Sequence, residues 1–150
     1  MRWVIQRVSE ADVRVNNQIV GHIGRGLLIL CGIEDNDTES DADWLIKKTV
    51  QMRIFSDAQD KMNLSVSDVN GSILFVSQFT LHALTAKGNR PSFIKAAHPD
   101  YAKKLYTYTF SKLKDALPEK VESGAFGEDM KINSRLDGPV TIVVDSKNRE

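Results

Sequence analysis

Two hydroxyls and a carboxamide stand close together in Ser77-Gln78-Phe79-Thr80-Leu81, directly after an apolar run. Ester hydrolysis needs an attacking oxygen and hydrogen-bond donors that stabilise the oxyanion. A strand that ends in a loop offers both, because its last hydroxyls and backbone N–H groups are no longer paired in the sheet. The segment therefore has the groups for ester hydrolysis, while the simpler interpretation is that Ser77 and Thr80 only close the end of a strand.

A Gly-Pro pair lies near the C-terminus in Asp137-Gly138-Pro139-Val140-Thr141 and opens a predicted strand. X-Pro bonds are the ones that adopt cis geometry, although only about 5–6% of them do so in folded proteins. Because Gly138 has no side chain, its carbonyl can approach a ligand closely. The residues alone leave open both an ordinary trans turn and a rigid steric gate at Gly138 and Pro139.

Candidate bases and metal ligands are few. His82 follows Thr80 closely and would share its face in a continuing strand, so it is the only tempting base for that hydroxyl. His22 and His98 are isolated, and the sequence places no Asp or Glu to orient any of the three histidines. Cys31 lies in an apolar run and is expected to be a buried, inert thiol. The spacing fits no zinc site, so neither a metal nor another cofactor is expected.

The strands that must position these groups follow from hydrophobic alternation and apolar runs. The first third of the chain is predicted to be a short meander, with a turn at Asn16-Asn17. The polar segment 55–71 is predicted to be a loop. The predicted strands are residues 3–8, 12–15, 19–23, 27–33, 73–77, 121–126, 130–134 and 140–144.

Two helices are predicted between and after the central strands. Thr38 or Ser40 can cap the first helix, and Pro99 fits the first turn of a second helix that Pro118 ends. The expected fold is therefore α/β, with mixed, largely antiparallel sheets in layers and helices packed on one side. The length of 150 residues, without a linker or repeat, predicts one domain over residues 1–150.

The composition excludes several classes of protein. Lys plus Arg and Asp plus Glu both number 20, so no overall positive field attracts nucleic acid, and any RNA contact must come from a local patch. The longest apolar run, residues 27–31, is far shorter than the roughly 20 residues that span a bilayer, and the N-terminus lacks the pattern of a secretory signal. A soluble, cytoplasmic protein is expected, with no membrane or DNA partner.

These segments and their order resemble the D-aminoacyl-tRNA deacylases over nearly the whole chain. Ordered matches of this kind seldom arise by chance. Glu128, where the family usually carries a small residue, and Leu136, where an Asn often precedes the Asp, depart from the pattern. Besides the two motifs, the matching places are Arg7, Lys61-Met62-Asn63, Arg90-Pro91-Ser92-Phe93, Gly124-Ala125-Phe126-Gly127 and Met130.

The resemblance implies hydrolysis of the ester bond of D-aminoacyl-tRNA, and of glycyl-tRNA mischarged on the tRNA for alanine. It implies a homodimer in which residues 77–81 of one subunit meet a cis Gly138-Pro139 pair of the other. Backbone oxygens of that pair would accept the substrate's α-amino group and exclude L-aminoacyl esters, which is chiral proofreading. Arg7 resembles the family residue that helps hold the Gly-Pro pair, and Met130 is expected to bind substrate.

Two mechanisms are compatible with the resemblance. In one, Thr80 is the nucleophile, while the amides near Phe79 and Thr80 and the groups of Ser77 and Gln78 polarise the carbonyl. In the other, the 2′-hydroxyl of the terminal adenosine of the tRNA drives the reaction, and the protein positions ester and water. We favour the second, because no base for Thr80 is visible and an activated aminoacyl ester needs less help than an amide.

The tRNA is expected to contact Lys87, Arg90 and Lys95, which follow the first motif. The lysines of the next helix would extend these residues into a basic strip beside the pocket, and a solvated helix face is an equally good interpretation of them. They are Lys103, Lys104, Lys112 and Lys114. Two rival functions remain. A noncatalytic tRNA-binding module would bind charged tRNA without shortening the lifetime of the ester. A small-ester hydrolase that uses Thr80 and His82 would act without tRNA and would depend on His82.

Overall fold

A computed structural model describes residues 1–149. No helix among these residues is long and apolar enough to cross a membrane. The elements in chain order are β1 (Arg2–Val15), β2 (Gln18–Ile23), β3 (Gly26–Gly32), α1 (Glu39–Gln51), β4 (Phe55–Ser56), β5 (Met62–Leu64), β6 (Ser72–Ser77), a 3₁₀ turn (Phe79–His82), α2 (Pro99–Ala116), β7 (Val121–Ser123) and β8 (Lys131–Asp145).

Strand β1 organises a six-stranded mixed sheet. Its first half pairs antiparallel with β3, its second half pairs antiparallel with β2, and β8 pairs with it along both halves. Strands β3, β6 and β7 follow one another in parallel. The prediction of an α/β fold with mixed, largely antiparallel strands is confirmed. The predicted layers arise within one strongly curved sheet, whose strand β2 folds back over β6 and β7.

Gly21 shows how closely the sheet folds back. A Cβ at this position on β2 would lie 2.6 Å from the Ser123 carbonyl oxygen and 3.0 Å from Cδ1 of Leu74. Only a glycine therefore lets β2 approach β6 and β7. A small core fills the space inside the curl, and its buried residues are Val8, Ala11, Val13, Ile23, Leu28, Leu74 and Val76.

The two helices pack against the other face of the sheet, on one side as predicted. The rings of Trp3 and Phe75 meet edge to face at 5.3 Å, and Tyr106 of α2 stacks on Phe75 at 4.8 Å. Burial of each large apolar side chain contributes roughly 1.5–3 kcal/mol. The main core thereby fixes β6, the strand that leads to the first motif, between Trp3 of β1 and Tyr106 of α2.

Helix boundaries agree with the capping signals. Thr38, and not Ser40, is the N-cap of α1, since the Asp41 carboxylate accepts a hydrogen bond of 2.9 Å from the Thr38 amide. Pro99 is the first residue of α2, where its missing N–H costs nothing. The helix ends at Ala116, before Pro118.

Several strand boundaries differ from the prediction. Residues 3–8 and 12–15 are strand as predicted, but both belong to the single strand β1, because register shifts against β8 absorb the break in alternation without a turn. Residues 131–134 and 140–144 likewise belong to one strand, β8, which begins after Met130 and runs through the Gly-Pro pair. The predicted loop 55–71 contains the hairpin of β4 and β5, and β7 ends at Ser123, short of the predicted residue 126.

Candidate active site

A cavity of about 700 Å³ opens at the carboxyl end of β6. Three residues of the first motif, Ser77, Gln78 and Phe79, form part of its wall, together with Met130. A mostly apolar cavity with a few polar groups at one place is typical of a small-molecule site. The other lining residues are largely apolar and include Ile33, Val76, Phe93, Ala97, Ala102, Phe126 and Ile132.

The chain leaves the sheet at this cavity in a defined way. The Gln78 amide still donates to the Cys31 carbonyl of β3 at 2.7 Å, and the 3₁₀ turn begins directly afterwards. Among residues 1–149, no acceptor pairs with the backbone N–H groups of Phe79 and Thr80. The first N–H groups of a helix are unpaired because no helical carbonyl precedes them. Two neighbouring amides are therefore available to an oxyanion, in the segment predicted from the sequence.

The hydroxyl of Thr80 is exposed and has an amide for a partner. Nε2 of Gln78 donates to Thr80 Oγ1 at 2.6 Å. A carboxamide cannot take a proton from a hydroxyl at neutral pH. This geometry orients Thr80 without activating it as a nucleophile.

His82 does not serve Thr80 as a base, because its side chain turns into the protein. The imidazole is 1% exposed, and its Nδ1 lies 3.3 Å from Oε1 of Glu34. No hydrogen bond joins His82 and Thr80 within the described residues. Sequence reasoning missed Glu34, which the parallel pairing of β3 with β6 brings beside the 3₁₀ turn.

The second motif lies on β8, and its Gly138-Pro139 bond is cis. Arg7 of β1 holds the residue before it: Nε lies 3.0 Å from the Asp137 carboxylate and donates to the Asp137 carbonyl at 3.1 Å. Nη1 of Arg7 also donates to the Ile54 carbonyl at 2.6 Å. Arg7 thereby fixes the backbone that enters the Gly-Pro pair.

Gly138 is required where it stands. Its φ of +121° is unfavourable for a residue with a side chain, and a Cβ would lie 2.9 Å from Nη2 of Arg7. Within residues 1–149, neither Gly138 nor Pro139 lines the cavity beside Ser77 and Phe79. One chain alone therefore keeps the two motifs apart.

Strand β8 leaves one side without a partner strand. Among the described residues it pairs only with β1, and Leu136 and Val143 on it are 45% and 62% exposed. An open strand edge with apolar side chains is a surface that another chain can cover. The Gly-Pro pair lies within this uncovered strand.

The basic residues predicted to contact tRNA lie on one exposed loop, residues 83–98. A bridge between Leu84 and Ser92, with N–H···O distances of 2.8 and 3.0 Å, folds its first part into a hairpin. Lys87, Arg90 and Lys95 are exposed, and none forms an ion pair within residues 1–149. Their charges are free to meet an anionic ligand.

Cys31 lines the cavity yet has the character predicted for it. Its side chain is buried, and burial raises the pKa of its thiol well above the ordinary value. A thiol of this kind does not supply a thiolate nucleophile. No cluster of three or more His, Cys, Asp or Glu side chains that could hold a metal ion occurs among residues 1–149.

Comparisons with known proteins agree with this geometry. Residues 4–145 match the family model described as D-Tyr-tRNA(Tyr) deacylase. The chain is 58% identical to a D-aminoacyl-tRNA deacylase of Akkermansia muciniphila and 57% identical to one of Flavobacterium johnsoniae. Each comparison covers 150 residues, which is 100% of this chain and 100% of the relative.

Two solved structures are similar as well. One is described as a c-Myc DNA Unwinding Element Binding Protein; it is 37% identical, with a TM-score of 0.92 over 97% of this chain and 98% of that chain. The other, a probable eukaryotic D-amino acid tRNA deacylase, is 19% identical with a TM-score of 0.81 over 95% and 97%, and shows the fold alone. By its sequence and by the matched family model, the chain belongs to the D-Tyr-tRNA(Tyr) deacylase family.

Proposed function

We propose that this protein hydrolyses the ester bond of D-aminoacyl-tRNA and releases free tRNA and a D-amino acid. The observation that carries the proposal is identity of 57% and 58%, over the full length, with relatives named D-aminoacyl-tRNA deacylase. The unpaired amides of Phe79 and Thr80 beside the cavity supply chemistry that suits this reaction.

In the proposed reaction, the ester carbonyl lies at the mouth of the cavity, near the first motif. The N–H groups of Phe79 and Thr80 stabilise the negative charge that develops on the carbonyl oxygen, and Ser77 and Gln78 line the same place. Removing one such donor costs about 2.7–4 kcal/mol of activation free energy in other hydrolases. Met130 and the apolar wall bind the remainder of the aminoacyl-adenosine end.

The attack is assigned to the tRNA's own 2′-hydroxyl and a water molecule, with Thr80 in a supporting role. The hydroxyl of Thr80 accepts from Gln78 at 2.6 Å, and no base is bonded to it among residues 1–149. An aminoacyl ester is already activated, so positioning and an oxyanion site supply enough stabilisation.

Chirality is sensed by a second copy of the chain. The Gly138-Pro139 pair of one subunit enters the cavity of the other, where its backbone oxygens accept the α-amino group and occupy the space of an L side chain. Its place on the uncovered strand β8 and away from its own cavity supports this arrangement. Glycine has no side chain to exclude, so glycyl-tRNA mischarged on the tRNA for alanine is also a substrate. The reaction serves translational proofreading in the cytoplasm.

A mixed dimer tests the shared site. A chain with Gly138→Ala and a chain with both Gln78→Ala and Phe79→Ala are each expected to be impaired by roughly tenfold or more as homodimers, since the first displaces the Gly-Pro pair and the second removes side chains that line the cavity and orient Thr80. Co-expression places the intact first motif of one beside the intact Gly-Pro pair of the other, so the mixture should regain about a quarter of the parental activity, given half of the dimers with one good site. No recovery in a mixture shown to contain heterodimers contradicts the proposal.

The binding face is assigned to the loop with Lys87, Arg90 and Lys95. Their unpaired charges beside the cavity suit the phosphates of the acceptor end of tRNA. A similar protein described as binding a DNA element makes a noncatalytic nucleic-acid module the rival to exclude.

The experiment that tests the function follows the lifetime of D-Tyr, L-Tyr and glycyl esters of tRNA. Deacylation of the D and glycyl esters, with the L ester spared, supports the proposal. Bound tRNA whose ester lifetime is unchanged would indicate the binding module. Hydrolysis of small esters without tRNA, lost in His82→Ala, would indicate the small-ester hydrolase.

A further inference from the structure

His82 is a buried polar group outside the machinery described so far. Its Nδ1 lies 3.3 Å from the Glu34 carboxylate, and its Nε2 is buried without a hydrogen-bond partner among residues 1–149. An imidazole that carries its proton on Nδ1 can direct that N–H toward the Glu34 carboxylate, which only accepts hydrogen bonds. Burying Nε2 without a partner costs free energy, which the other contacts of His82 must offset.

The other edge of the ring packs against the main chain of β3. A Cβ at Gly32 would lie 2.9 Å from Cδ2 of His82 and 3.0 Å from Nε2. Because Gly32 has no side chain, the imidazole fits against β3 at this position. The ring therefore packs between the backbone of β3 and the Glu34 carboxylate. The unpaired nitrogen, Nε2, is buried beside Gly32.

The pair is one of three anchors on a short turn. Gln78 at its start donates to the Cys31 carbonyl at 2.7 Å, and Nη1 of Arg2 donates to the Leu81 carbonyl at 2.8 Å. His82 at its end lies against Glu34, with Nδ1 3.3 Å from the carboxylate. The residues between these anchors are Phe79 and Thr80, the two with unpaired amides.

Glu34 also connects the turn to a second part of the cavity wall. Its backbone forms a bridge with Ala96, and the Ala97 amide donates to the Ile33 carbonyl at 2.9 Å. Ala96 and Ala97 line the same cavity as Ser77, Gln78 and Phe79. The segment around Glu34 therefore contacts both the turn that carries the amides and another part of the wall.

We propose that His82 and Glu34 are a positioning pair that holds the Phe79 and Thr80 amides in place relative to the cavity wall at Ala96 and Ala97. The inference rests on the deacylase function proposed above. Oxyanion stabilisation depends steeply on geometry, and a misplacement of about 1 Å can cost on the order of 100-fold in rate. Loss of the contact between His82 and Glu34 should therefore lower kcat and leave KM nearly unchanged.

Variants at His82 separate positioning from proton transfer. His82→Asn keeps an N–H where Nδ1 stood and can still donate to Glu34, whereas His82→Leu fills the space without a donor. We expect His82→Asn to keep kcat within about threefold and His82→Leu to lose roughly tenfold or more, with KM within about twofold. Equal loss in both folded variants, as for a catalytic base, overturns the proposal, and so does an unchanged kcat in His82→Leu.

Variants at Glu34 test the same bond from the partly exposed partner, where folding is less at risk. Glu34→Gln retains an acceptor and should behave like the parent, whereas Glu34→Ala should reproduce the kcat loss of His82→Leu. Glu122→Ala, an exposed glutamate on β7, is the matched control and should leave kcat unchanged. In amide NMR spectra, Glu34→Ala should shift the resonances of Phe79 and Thr80, and a spectrum unchanged at both residues contradicts a positioning role.

The parent enzyme separates failure of this inference from failure of the proposed function. A parent that hydrolyses no aminoacyl-tRNA refutes the function, and the inference with it. A parent that hydrolyses D-Tyr-tRNA while Glu34→Ala retains full kcat refutes the positioning pair alone.

Discussion

The guanidinium of Arg7 contacts Asp137 at two places: Nε lies 3.0 Å from the carboxylate and 3.1 Å from the carbonyl oxygen. Arg7 is buried on β1, and Gly138 follows Asp137 directly on β8. The same guanidinium donates to the Ile54 carbonyl at 2.6 Å. One cation thus ties the Gly-Pro pair to the opening strand and to the segment after α1.

Arg7→Lys should destabilise the protein although the charge is kept. An ammonium is a single point of contact and cannot reach the Asp137 and Ile54 acceptors together as the planar guanidinium does. We expect a loss of about 2–3 kcal/mol in the free energy of unfolding, measured by urea denaturation. Arg14→Lys, at an exposed pair with Asp12, should change stability by less than about 1 kcal/mol. Equal effects at the two sites would contradict the role of Arg7.

Thr80→Ala should retain substantial deacylation. The Thr80 hydroxyl is bonded to a carboxamide at 2.6 Å and to no base in the described part of the chain, while the backbone amides stay in place when the side chain is removed. We expect kcat for D-Tyr-tRNA within about tenfold of the parent. Activity at background in a variant that folds and binds tRNA would show that Thr80 is the nucleophile.

Asp41 should support stability at neutral pH and lose that role in acid. Burial opposes its ionisation, but hydrogen bonds from Lys147 at 2.8 Å and from the Thr38 amide at 2.9 Å lower its pKa below the ordinary value of 3.8. A carboxyl whose pKa is lower in the folded state stabilises above its unfolded pKa, and this contribution is lost as the pH falls through the folded pKa.

Asp41→Asn should therefore be less stable than the parent by roughly 1–2 kcal/mol at pH 7. The difference should shrink as urea unfolding is repeated at pH values below 3.8. Asp115→Asn, on the exposed face of α2, serves as control and should show little difference at any pH. A gap that stays constant down to the lowest pH would assign the effect to packing.

Binding of tRNA should depend on salt through the loop after the 3₁₀ turn. Each phosphate contact contributes a slope of roughly −0.7 to −0.9 in log K against log salt concentration. The double variant Lys87→Ala and Arg90→Ala should flatten the slope by about 1.5, measured by titration of tRNA at several salt concentrations. Lys47→Ala, an exposed lysine on α1, should leave the slope unchanged. A parental slope in the double variant would place the tRNA elsewhere.

The sequence alone predicts the elements that carry both motifs, since an apolar run marks β6 and capping residues mark both helices. It could not predict that β1 is one continuous strand and that β8 is another. In each, the break in hydrophobic alternation looks like a turn in the sequence, but a bulge in the pairing of β1 with β8 absorbs it. It could not predict the partners of Arg7 and His82 either. Arg7 binds carbonyl oxygens, which every residue has, and Glu34 reaches His82 only through the pairing of β3 with β6.

In the function proposed above, the Gly138-Pro139 backbone rejects L-aminoacyl esters. A side chain at Gly138 would lie 2.9 Å from Nη2 of Arg7, at a φ of +121°, and must displace the pair. Gly24→Ala is the matched control, because nothing lies within 4 Å of a Cβ at Gly24.

The most direct measurement compares deacylation rates of D-Tyr-tRNA and L-Tyr-tRNA for the parent, Gly138→Ala and Gly24→Ala. We expect the parent and Gly24→Ala to hydrolyse the D ester and spare the L ester. We expect Gly138→Ala to lose at least roughly tenfold in the D rate and to have a smaller ratio of D to L rates. A parent that hydrolyses both esters equally, or a Gly138→Ala variant with the parental rate and selectivity, would contradict it.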